Sequence, residues 1–175
     1  MSGTKRLLIL TAGDKARGMG LVMRSLALAD ELKSRGAGVD FCCELNTPGA
    51  DRLVQGGYQV YADWIELAGA SDAVIVDLKP SGIYAPHIEF LQEARPHARK
   101  LIAFTGAGWA QTDIPAGLLD LQISQSILVD APSAPGVLVG PEWLMVRSEY
   151  AACVPNQDGP IVVVMGGSDP HGLTG

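Results

Sequence analysis

Three stretches of the sequence bring together residue types that can receive a phosphate or carboxylate. The first is Gly18-Met19-Gly20, with Arg24 one helical turn further on. Two glycines let the backbone approach a ligand closely, and a helix start behind them offers free N–H groups and a partial positive charge. The spacing is not that of a dinucleotide fingerprint, which needs a third glycine three residues on. A tight turn beside a solvated Arg24 explains the same residues equally well. The second stretch is Gly166-Gly167-Ser168-Asp169-Pro170, directly after the apolar run Ile161 to Met165. Its amides and hydroxyl suit a diphosphate, although an ordinary turn with Ser or Asp as a helix cap has the same composition. The third runs from Gly140 to Tyr150, where Trp143 and Arg147 could line a cleft. The competing description is packing plus an Arg147–Glu149 surface ion pair, worth little. Asp77 ends an apolar run and is either a ligand contact or a turn cap.

Other chemistries find no support in the residues. No Ser–His–Asp or Cys–His set is readable. His87, His97 and His171 are scattered, and no Cys or His pair has zinc spacing, so no metal and no cofactor are expected. Three cysteines cannot form a paired framework, and a disulfide between adjacent Cys42 and Cys43 would be strained. Reduced, partly buried thiols in a cytoplasmic protein are the expectation.

The elements that must position these residues follow from hydrophobic patterning. Lys5 to Thr11 contains LLIL, a continuous apolar run of the kind found in strands covered on both faces. Leu21 to Ser34 repeats Val22, Leu26, Ala29 and Leu32 at helical spacing, and Gly36 supplies the stop. Val39 to Cys43 is the next strand, which makes a right-handed parallel crossover. The alternation continues with a helix over Pro48 to Gln55, a strand over Tyr58 to Tyr61 and a helix over Asp63 to Leu67. A buried strand over Ala73 to Leu78, a helix over Ala85 to Ala94 and a strand over Leu101 to Phe104 come next. Short strands are expected around Asp120 to Ser124 and Val137 to Val139. The pattern predicts an α/β fold: a Rossmann-like open, mostly parallel sheet with helices on both faces.

Composition bounds the rest. The chain has 175 residues, 47% of them apolar and 18% charged, which is globular material. A net charge of −6 argues against a general nucleic-acid binder and against docking on anionic lipid. No stretch approaches the ~20 apolar residues of a membrane span. The final strand, Ile161 to Met165, has no crossover helix after it, so the sequence predicts a piece of a longer protein. The expected division is an N-terminal domain over 1–150, a linker over 151–159 and the opening strand and turn of a second domain over 160–175. A homodimer through the exposed Ile161 to Met165 strand is possible for such a piece.

Three stretches together resemble one family. GMGLVMRSLALADELKSRGAGVDFCC looks like the opening of the UDP-sugar hydrolases of the pseudaminic-acid pathway and the related spore-coat polysaccharide biosynthesis proteins. Their pattern there is Gly-x-Gly-His-x-x-Arg before an alanine- and leucine-rich helix. GPEWLMVRSEY is similar to their Gly-Pro-x-Tyr-Ala-Leu-Leu-Arg-x-Glu-Phe, and VVVMGGSDPHGLT to the strand and turn that open their second domain. The resemblance implies the two-domain GT-B fold, with a UDP-sugar held between the domains and most of the nucleotide on the second. It implies substrate contacts at Gly18, Gly20, Arg24, Thr105, Ser124, Trp143 and Arg147, and phosphate contacts at Gly166, Gly167, Ser168 and Asp169.

The departures from that family bear on chemistry. Leu21 stands where the family has the histidine thought to act as base toward water, and leucine cannot take a proton. Ala103-Phe104-Thr105-Gly106 replaces Ser-Phe-Asp-Asp, and an amide position falls at Ser124 or Gln125. Asp14 and Asp77 are the substitute bases to consider. The first expectation is therefore the N-terminal part of a sugar-nucleotide hydrolase or glycosyltransferase of surface-polysaccharide or modified-sugar biosynthesis. The alternative is a non-catalytic protein of the same fold that binds a sugar nucleotide or a partner.

Overall fold

The computed structural model describes residues 3–78, 88–105, 114–125 and 135–151. Along them run β1 (Arg6–Thr11), α1 (Gly20–Ser34), β2 (Gly38–Cys42), α2 (Pro48–Gln55), β3 (Val60–Tyr61), α3 (Ile65–Ala70) and β4 (Ala73–Asp77). They are followed by α4 (Ile88–Ala94), β5 (Leu101–Thr105), β6 (Leu121–Ser124), β7 (Val137–Val139) and α5 (Ser148–Ala151). Single 3₁₀ turns occupy Arg95–His97 and Pro141–Trp143.

The seven strands form one sheet in the order β3-β2-β1-β4-β5-β6-β7, and each neighbouring pair is parallel. Parallel neighbours require crossovers, and these put helices on both faces. Alternate strand residues sort accordingly. Ile9, Phe41, Ile75 and Phe104 pack with Val22, Leu26 and Leu53 of α1 and α2. Leu8, Leu10, Val74, Val76, Leu101 and Ala103 pack with Ala68 of α3 and with Leu91 and Ala94 of α4. The apolar runs of β1 and β4 are thus explained by two covered faces.

Local signals set the helix ends. The Thr47 hydroxyl accepts from the Ala50 amide at 3.2 Å, and Pro48 opens α2 where its missing N–H is not needed. Gly36, at φ 84°, closes α1 while the Ala37 amide reaches back to the Leu32 carbonyl.

The structure departs from the expected elements in places. Only Val60 and Tyr61 pair as a strand. Tyr58 instead turns inward, edge-on to Phe41, and donates to Asp30 Oδ1 at 2.6 Å. Asp63 stands outside α3, its side chain accepting from the Ile65 amide, and the helix runs on to Ala70. The expected strand over Ile161 to Met165, and with it the linker, the second-domain opening and the strand-paired dimer, lies outside the described residues.

Candidate functional site at the carboxyl edge of the sheet

Strand order reverses between β1 and β4: the chain proceeds outward through β2 and β3 on one side and through β5, β6 and β7 on the other. In an open α/β sheet this reversal leaves a crevice beyond the carboxyl ends of the two strands. Thr11 and Asp77 are partners in register at that point. The β1–α1 loop and the first turn of α1 lie beside them.

The loop is held by its own residues. Asp14 Oδ1 accepts from the Ala16 and Arg17 amides at 2.8 and 2.7 Å, and the Gly18 amide closes the turn on the Asp14 carbonyl at 2.8 Å. Arg17 pairs with Asp14 at 2.8 Å and with Glu44, after β2, at 3.0 Å. Gly18 has φ 77°, a conformation that favours glycine. Among the described residues, a Cβ at Gly20 would meet nothing within 4 Å, and Gly20 itself is exposed.

Beneath the loop lies a contact that the sequence did not announce. The Gly49 amide donates to the Gly13 carbonyl at 2.9 Å. A Cβ on Gly49 would stand 2.5 Å from that oxygen, and one on Gly13 would stand 2.6 Å from Val22 Cγ2. Only glycine lets the β1 loop and the start of α2 close to this distance. The Gly13 in AGDKARGMG was the available signal, but its partner lies on a different element.

Arg24 and Asp77 do not stand apart as separate ligand contacts. Arg24 Nε bonds both Asp77 oxygens at 2.9 Å, and its Nη2 also bonds Asp77 Oδ1. The carboxylate is 1% exposed and the arginine side chain 31%. Ser25 Oγ donates to Asp77 Oδ2 at 2.8 Å and lies 3.3 Å from Thr11 Oγ1. Phe104 places its ring centroid 5.9 Å from Arg24 Cζ. Asp77 therefore anchors an arginine rather than standing open as a base, and Asp14 is similarly engaged by its loop. Leu21, where the resemblance would place a histidine, is buried.

The remaining expected contacts fall elsewhere. Thr105 and Ser124 are partners in register and both are buried. The Thr105 hydroxyl accepts from Gln122 Nε2 at 3.1 Å. Alternation along β5 turns Thr105 to the α4 side with Ala103, opposite Phe104 and Arg24. Trp143 is half-exposed at the carboxyl end, where its carbonyl accepts from Gln125 Nε2 at 2.7 Å. Arg147 pairs with Glu149 at 2.9 Å, as the sequence suggested, and also stacks on and bonds Tyr150. It lines a groove with Ala27, Asp30, Glu31 and Ser34, beside the later turns of α1 rather than its N-terminus. Gly166, Gly167, Ser168 and Asp169 lie outside the described residues.

Cys42 and Cys43 are free and buried, and they face opposite sides of the sheet. Burial, then the neighbouring Cys43 and Asp63, pushes the Cys42 thiol up to about 12. Burial also raises Cys43, against hydrogen bonds from Thr47 and Gly13. Among the described residues no cluster of His, Cys, Asp and Glu could hold a metal ion, and no helix is long and apolar enough to cross a membrane.

No protein-family model and no curated protein sequence matches the chain. Solved structures do. MurG of Acinetobacter baumannii superposes with a TM-score of 0.55 at 15% identity, over 76% of this chain and 44% of that one. An alpha-glucosyltransferase in complex with UDP gives 0.49 at 14% identity, over 78% of this chain and 43% of that one. The apo D-mandelate dehydrogenase of Rhodotorula graminis gives 0.45 at 15% identity, over 82% and 42%. The chain spans less than half the length of each. The likeness to MurG is one of fold, and it agrees with the strand order: the described residues form a Rossmann-like open parallel sheet with helices on both faces.

Proposed function

We propose that this chain is the N-terminal, ligand-binding domain of a sugar-nucleotide enzyme, a hydrolase or glycosyltransferase of surface-polysaccharide or modified-sugar biosynthesis. The observation that carries this reading is the reversal of strand order between β1 and β4, with the positive-φ Gly18 turn and the exposed Gly20 at the start of α1 beside it. A helix start at such a point is suited to a ligand bearing phosphate. The MurG-like fold and the three family-like stretches support the same class. The contacts expected at Gly166 to Asp169 complete the nucleotide side in this reading, so the domain alone binds weakly.

Titration of the chain with UDP-N-acetylglucosamine, followed by amide NMR shifts, tests it. Saturable millimolar shifts are expected at Gly13 to Arg24 and Asp77. Shifts confined to the amino edge of the sheet, or none at millimolar ligand, would sink it.

A second reading, binding without turnover, is favoured by one observation. Leu21 is buried and apolar, while Asp14 and Asp77 are both held in ion pairs, so none of these three positions offers a free base. Release of UDP from UDP-N-acetylglucosamine, measured by chromatography on the protein from its native source, separates the two. Turnover excludes the second reading, and binding with no UDP released excludes a hydrolase acting on that sugar nucleotide.

A further inference from the structure

The Arg24–Asp77 pair narrows which part of such a ligand the crevice can receive. Nε and Nη2 are turned onto a carboxylate that is itself covered, and Nη1 bonds no described residue. Ser25 Oγ braces the same carboxylate, and Phe104 lies against the guanidinium. The geometry of the fork is fixed, and a third of the arginine side chain stays exposed.

Charge compensation decides what this edge attracts. An anion approaching Nη1 meets the guanidinium, but Asp77 lies only a few ångström further back and repels it. The field outside the pair is that of a dipole, which falls off faster than that of an ion. What remains at full strength is the directional N–H donor. Burying an ion pair also carries a desolvation penalty that an apolar pair would avoid, so stability alone is a poor reason for this arrangement.

We propose that Arg24, fixed by Asp77, receives an uncharged oxygen of the sugar, a hydroxyl or an acetamido carbonyl, and not the diphosphate. Asp77 is then a positioning residue: it orients the fork and cancels its charge. The inference takes its ligand class from the function proposed above.

The Arg24 Nε–H signal in NMR spectra of the whole chain is the readout, with N-acetylglucosamine and inorganic pyrophosphate as separate probes. The sugar should move it in the wild type, and pyrophosphate should move it at least about threefold less at equal concentration and ionic strength. In Asp77→Asn the preference should invert, with pyrophosphate affinity rising about tenfold as the arginine charge is unmasked. A purely structural Asp77 would change stability without inverting the preference. A stronger response to pyrophosphate in the wild type, no response to either probe, or an unchanged preference in a folded Asp77→Asn overturns the inference. If that variant does not fold, the wild-type comparison decides. UDP-N-acetylglucosamine binding in the crevice with no sugar response at Arg24 defeats this inference alone. A sugar response at Arg24 with no binding of UDP-N-acetylglucosamine defeats the proposed function alone.

Discussion

At the scale of single residues, burial separates groups that look reactive from groups that are available. Cys42 and Cys43 are adjacent thiols, yet each is covered by a different side of the sheet. The thiolate is the nucleophile, and burial disfavours it. With the Cys42 thiol pushed up to about 12, native protein at pH 8 should leave Cys42 and Cys43 almost unreacted with iodoacetamide, while urea should expose both. Peptide mass spectrometry after timed alkylation checks this, and rapid native labelling at Cys42 would contradict the burial. Asp77 shows the same separation. Its place at a strand end was legible from AVIVDL, but its partner Arg24 is fifty-three residues away and arrives through tertiary structure. The sequence therefore named both residues and could not say that they neutralise one another. Thr105 and Ser124 lie buried side by side on β5 and β6, a placement the sequence could not state, because which face of a strand a side chain occupies depends on register, which short strands state weakly.

At the scale of elements, patterning was a good guide wherever an apolar run met a turn residue. The helix over Pro48 to Gln55 and the strand over Val137 to Val139 have the limits that their sequences imply. Helix α1 needed only its apolar spacing and Gly36. What the pattern could not convey was contact between elements, and Gly13 against Gly49 is the clearest case. Gly49→Ala should push the β1 loop off α2 and cost about 1–3 kcal/mol, as overpacking does. Gly20→Ala, at an open position without a positive φ, should instead stabilise by about 0.4–1 kcal/mol through the unfolded chain. Urea unfolding of both variants reads the contrast, and equal effects would mean that the two glycines are equivalent.

At the scale of the whole molecule, the two edges of the sheet differ in character. The carboxyl edge carries the β1–α1 loop, the start of α1 and the Arg24–Asp77 pair. The amino edge is fastened by two aspartates. Asp72 accepts from the Arg6 amide at 2.9 Å and from Lys5 at 3.4 Å, and the Arg6 amide above all holds its carboxyl below the usual range. At Asp120, desolvation is the largest single influence and pushes upward. Bonds from Lys100, the Leu101 amide and Arg95 together outweigh it and hold the carboxyl well below the usual range. Both groups are lowered relative to an unfolded Asp near 3.9. Their stabilisation is thus complete above that value and is lost as pH falls through their folded values. Thermal unfolding between pH 6 and pH 2 should show the midpoint falling mainly below about pH 4. Asp120→Asn should be less stable at neutral pH and fall less steeply in acid, and an unchanged acid slope would remove Asp120 from the account.

The central place of β1 has a consequence for how the chain is made. Strand β1 leaves the ribosome before either of its two neighbours, and one of them, β4, follows only after β2, α2, β3 and α3. At roughly 5–20 residues per second, β1 spends several seconds of synthesis with one apolar side unpaired. A nascent chain arrested before Ala73 should therefore bind hold-type chaperones through LLIL, and extension past Asp77 should release them.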